Sequence, residues 1–123
     1  MESILTSIKK MLNIAENYTN FDTDIIIHIN SALMVLNQLG VGPSKGFVIK
    51  DESNTWKEFI PDDRIDIESI KSYVYMKVRL LFDPPSSSAA IASMEKLISE
   101  FEFRINVAVE TPQSTGEEEI QNG

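Results

Sequence analysis

Cysteine is absent from the 123 residues, so disulfides, zinc–thiolate sites, iron–sulfur clusters and cysteine nucleophiles are all excluded. Histidine occurs once, as His28, which leaves no histidine pair for a metal and a single imidazole for any catalytic triad. Bases are scarce: eleven Lys and Arg stand against nineteen Asp and Glu, a net charge of -8. A surface that grips nucleic-acid phosphates has the opposite balance. No apolar run approaches the ~20 residues that span a bilayer. The start Met1-Glu2-Ser3 has neither a basic nor an apolar signal region, so the chain is expected to be intracellular at synthesis or delivered by another route. The phosphate-cradling and nucleophile-elbow patterns GxxxxGK(S/T), GxGxxG and GxSxG are missing as well.

What remains is an ordinary globular composition, 42% hydrophobic and 24% charged, at a length that fits one domain. A chain of this size buries roughly 65% of its unfolded surface and needs no covalent staple. The apolar spacing is helical in four places. Ile4, Leu5, Ile8, Met11 and Leu12 form a short amphipathic stripe with Ser3 as cap, followed by a polar link from Ala15 to Asn20. Asp22 is placed to cap a second helix, with Phe21 and Ile26 spaced as a hydrophobic staple. Its stripe is Ile25, Ile29, Ala32, Leu33, Leu36 and Leu39, and Gly40 is placed to end it in a left-handed conformation.

The period changes between Gly40 and Pro61. Phe47-Val48-Ile49 and Thr55-Trp56-Lys57-Glu58-Phe59-Ile60 flank the polar turn Asp51-Glu52-Ser53-Asn54, which predicts a β-hairpin or an extended loop inserted over about residues 41–61. Two strands alone are marginal in water, so Trp56 and Phe59 are expected to anchor this insertion on the helices or on a partner.

The third helix enters through Asp62, Asp63 and Asp66 and carries Ile67, Ile70, Val74, Val78 and Leu81. Tyr73, Tyr75, Met76, Leu80 and Phe82 make it apolar around most of its circumference, so it belongs at the centre of the fold. Asp83-Pro84-Pro85 stops it. A fourth helix follows with the stripe Ile91, Met94, Ile98, Phe101, Ile105 and Ala108. The expected architecture is all-α, about four helices over residues 1–109, with an acidic tail over 110–123. The predicted common core is Ile29, Leu33, Leu36, Ile70, Val74, Val78, Leu81, Ile98, Phe101 and Ile105.

Candidate chemistry is thin. Asp62, Asp63, Asp66 and Glu68 form the densest carboxylate group, but they lack the loop glycine and ligand alternation of a calcium loop, and helix-entrance stabilisation explains them. His28 lies at the edge of an apolar stripe, the place of a hydrogen-bonded boundary residue. Lys77 and Arg79 are expected to pair with Glu95 or Glu102, or to face a neighbouring subunit. No cofactor and no metal is expected. Two features exceed the needs of a monomer: the long insertion holding the only Trp, and an apolar strip of Phe103 and Val107. Phe103 is turned by about 200° from the core residue Phe101, which points to burial against a second chain.

The run Tyr73-Val74-Tyr75-Met76-Lys77-Val78-Arg79-Leu80-Leu81-Phe82-Asp83-Pro84-Pro85-Ser86-Ser87-Ser88, preceded by Leu36-Asn37-Gln38-Leu39-Gly40-Val41-Gly42 and by Thr55-Trp56-Lys57-Glu58-Phe59, resembles the small helical head–tail connector (adaptor, or head-completion) proteins of tailed phages and prophages. The resemblance covers roughly residues 3–109. It implies a non-enzymatic virion-neck protein that forms a ring, commonly a dodecamer, beneath the portal and continues the DNA channel towards the tail. The implied partners are further copies of the chain, the portal protein and the next neck protein, a stopper or a tail terminator, with DNA passing through unbound and no membrane involved. By position it implies an assembly loop over Phe47 to Phe59, with subunit contacts at Phe47, Trp56 and Phe59 beside the Phe103 and Val107 strip, and a portal-reaching tail over Glu110 to Gly123, with contacts at Glu117, Glu118, Glu119 and Ile120. An acidic channel wall that repels the duplex would suit the net charge.

A different class of function stays open on the sequence: a small acidic regulatory module that binds one partner through the Trp56–Phe59 loop. A DNA-binding helix-turn-helix is disfavoured, because Asp22 to Gly40 contains no Lys or Arg.

Overall fold

The chain is described here from a computed structural model, over residues 2–61 and 65–110. Five helices occur in the order α1 (Ile4–Met11), α2 (Asp22–Gln38), α3 (Trp56–Phe59), α4 (Ile67–Phe82) and α5 (Ser88–Glu110). Helix α4 packs on α1, α2 and α5 and is the central element, as its nearly all-round apolar sequence requires.

Ser3 caps α1 by accepting the Thr6 N–H at 3.1 Å. Beyond α1 the chain turns at Asn13, whose φ of 64° lies in the left-handed region that asparagine tolerates. The link to α2 is then held from the inside by Lys9. This side chain is 3% exposed, donates to the carbonyls of Glu16 at 3.0 Å and Tyr18 at 2.8 Å, and pairs with Asp22 Oδ1 at 2.8 Å. A buried ammonium is tolerated only when it is partnered in this way. The same ammonium explains why Asp22 does not cap α2. Phe21 takes the cap position without a side-chain bond, and the Asp22 carboxylate turns to Lys9. The Phe21 ring meets Tyr18 and Phe82, with centroids 5.6 and 5.3 Å away.

Ile25, Ile29, Ala32, Leu33 and Leu36 of α2 are fully buried against α4 and α1. Helix α2 ends at Gly40, where φ is 99°, and a Cβ at that position would stand 2.6 Å from Val109 Cγ1 of α5. Glycine is therefore required twice, for the left-handed turn and for the close approach.

No β-hairpin forms, and no strand occurs among the described residues. The predicted turn is present: Asp51 Oδ1 accepts from the Ser53 N–H at 2.8 Å, and Asn54 Oδ1 from the Lys50 N–H at 2.7 Å. The two flanking segments are nonetheless satisfied by other partners. Ile49 is hydrogen-bonded through both backbone groups to the Asn30 side chain. Residues 54–56 lie against the N-terminus, with the Ile4 N–H donating to Asn54 and the Trp56 N–H to Glu2. Thr55 then starts a single helical turn, accepting from the Glu58 N–H while the Glu58 carboxylate accepts from the Thr55 N–H. This reciprocal box is written in the sequence as Thr55-Trp56-Lys57-Glu58, a helix start rather than a strand.

Asp66 caps α4 by accepting the Glu68 N–H and the Ser69 hydroxyl; Asp62 and Asp63 lie outside the described residues. Ile70, Tyr73, Val74, Met76 and Val78 are buried. Leu81, expected in the core, is 57% exposed. It shares the stripe's direction but lies in the last turn before Asp83, and helical spacing fixes where a side chain points, not how far the partner helix extends. Lys77 and Arg79 do not reach Glu95 or Glu102. Lys77 stands over the Tyr73 ring, and Arg79 donates to the Tyr75 hydroxyl and the Asp83 carbonyl.

Candidate interaction surface

Helix α5 is 23 residues long, about 34 Å at 1.5 Å per residue. Among the described helices it packs chiefly on α4. Ile98 and Ile105 are buried, Met94, Phe101 and Val109 are half-buried against the core, and Val109 reaches the end of α2. The helix is fastened by Tyr73, whose hydroxyl donates to Glu102 Oε2 at 2.6 Å. Burial, and then this carboxylate, push the Tyr73 phenol far above its ordinary value. Arg104 lies over the Phe101 ring and pairs with Glu100 at 3.6 Å.

The outer face of α5 is apolar at the positions singled out in the sequence. Phe103 is 70% exposed, and Val107, one turn on, is also exposed. Leu97 adds a third exposed apolar side chain to the helix.

The insertion between α2 and α4 is built differently from its expected interface role. Trp56 is 3% exposed, and its indole N–H donates to Ser7 Oγ at 2.7 Å inside α1. Phe59 is fully buried, stacks on Phe47 with centroids 5.4 Å apart, and fills the space beside Gly42. Both rings anchor the insertion on the chain's own helices. Phe47 is half-buried, and Val48 beside it is exposed. The portal-contact candidates Glu117, Glu118, Glu119 and Ile120 lie outside the described residues.

A second apolar surface had not been singled out. Ile27 and Met34 project from α2 away from its buried stripe, each 56% exposed. With Phe47 and Val48 they bound an open groove of about 420 Å³. The signal was available: two large apolar residues seven apart lie on one helix face, and neither belongs to the core spacing.

Among the described residues no three His, Asp or Glu side chains stand together in a way that could hold a metal ion. No described helix is long and apolar enough to cross a membrane. Against known proteins, the family model described as phage connector protein matches residues 4–112. No curated protein and no solved structure matches the chain.

Proposed function

We propose, from the premise that this chain belongs to the phage connector protein family, that it is the adaptor subunit of the virion neck. In this role its copies form a ring beneath the portal, carry the DNA channel towards the tail, and present a docking surface to the next neck protein. The family match, which spans almost all of the helical body, carries this reading. The exposed Phe103 supports it, because a solvent-facing phenylalanine beside exposed Val107 and Leu97 on one helix suits burial in an assembly. The regulatory alternative depended on Trp56 and Phe59 as a presented binding loop, and both are committed to the chain's own core.

The acidic end, Glu117 to Ile120, is the proposed portal contact. Carboxylates meeting basic portal side chains would give docking that weakens with salt, and weak contacts repeated around a ring would add up through multivalency. The experiment is deletion of residues 110–123, with binding to purified portal rings followed by sedimentation at low and high salt. The shortened chain should keep its helicity and lose portal binding. Full binding by the shortened chain would overturn the proposed role of this segment.

A further inference from the structure

We infer that Phe103 on one copy of the chain seats in the Ile27–Met34–Val48 groove of the next copy, so that two different exposed apolar surfaces form one head-to-tail contact. This rests on the ring proposed above and names the surfaces that would build it.

The two surfaces stand at the same level of the bundle. The α2 and α5 helices both run antiparallel to α4, since Phe21 meets Phe82 and Tyr73 meets Glu102. They come together where Val109 packs over Gly40. Met34 and Phe103 each lie six residues before that meeting point, about 9 Å back along their helices. Rotation about an axis leaves the coordinate along that axis unchanged. Surfaces joined by a ring running around the bundle direction must therefore match in level, as these do.

Their shapes also differ in complementary ways. Phe103 is a projecting ring, whereas Ile27, Met34, Phe47 and Val48 line a shallow, open groove with Asn30 and Ser31 at its floor and edge. A two-fold dimer would have to seat both ridges in both grooves at once across its axis, and its cross-linking would stop at dimers. The loop that forms the groove's far wall carries Lys45 and Lys50, followed by Asp51 and Glu52, all exposed, so charge does not set the contact. A contact that uses one surface of each kind per copy is heterologous, and heterologous contacts close into rings when the rotation permits.

The absence of cysteine gives a clean test. Ser31 lines the groove one turn before Met34, and Ser99 lies one turn before Phe103; both are exposed. The full chain carrying both Ser31→Cys and Ser99→Cys is oxidised at millimolar concentration while its mass is followed by light scattering. Mixed disulfides between the two positions should give a ladder of dimers, trimers and larger products, since linked cysteines must approach within about 7 Å between Cα atoms. Neither single variant should cross-link to itself, and adding Phe103→Ser should cut the yield at least tenfold. Self-dimers of the Ser99→Cys single variant, or an assembled chain without the mixed link, would overturn this contact and leave the ring standing. A chain that stays monomeric and unlinked would overturn this contact, and the ring itself is then tested at the portal vertex.

Discussion

The Asn30 side-chain amide holds Ile49 by both of its backbone groups: Asn30 Oδ1 accepts the Ile49 N–H at 2.8 Å, and Asn30 Nδ2 donates to the Ile49 carbonyl at 3.1 Å. One side chain on α2 thus takes the place of a neighbouring strand and fixes the wall of the apolar groove.

Asn30→Ala should leave two partly buried backbone groups without partners and destabilise the chain by about 1–3 kcal/mol. Asn30→Asp keeps the acceptor and loses the donor, so its denaturation midpoint should fall between those of Ala and wild type. Equal midpoints for all three proteins would show that the Asn30–Ile49 pair has no part in holding the loop.

This pair also shows where the sequence stopped being legible. The apolar stripes of α2 and α4 could be read because helical period maps directly to burial, and Ile29, Leu36, Ile70 and Val74 are all fully buried. Between Gly40 and Pro61 the alternation around a polar turn matched a hairpin, yet pairing there is decided by Asn30 and by residues 2–4, which are remote in sequence. Phe103 was legible as a break from its helix's stripe. Ile27 and Met34 were legible as a pair by the same reasoning, but the groove was not, because it exists only once the 46–48 loop lies beside them.

Gly40→Ala should cost more than Gly46→Ala. Both glycines have positive φ, 99° and 93°, so each substitution carries a left-handed penalty of about 1–2 kcal/mol. Only at Gly40 does the new methyl also run into Val109, and at Gly46 nothing lies within 4 Å. Adding Val109→Ala to Gly40→Ala should recover part of the excess in thermal denaturation, a coupling that independent sites would not show.

Trp56 is the single tryptophan, so its fluorescence reports on the insertion alone. Emission should be blue-shifted in the folded chain and move to the red on unfolding. Trp56→Phe should lose about 1 kcal/mol through the missing bond to Ser7 Oγ. Red-shifted emission from the native chain would contradict the burial of this ring.

Alkaline stability should depend on Tyr73. Burial and the Glu102 bond hold its folded-state value far above the unfolded value of about 10. The contribution is therefore complete below that pH and is lost as pH rises above it, because only the unfolded chain releases the proton. Between about pH 10 and 12, Tyr73→Phe should flatten the decline in denaturation midpoint relative to wild type. Parallel declines would show that Tyr73 ionises as freely in the folded chain as in the unfolded one.

Whether this chain builds the neck of a virion is decided by imaging the portal vertex in purified phage particles. Density for the chain should appear as a ring at a single vertex, directly beneath the portal, with α5 facing the α2 groove of the adjacent copy. Particles that complete and eject normally without the chain, or copies spread over the whole shell, would contradict that role.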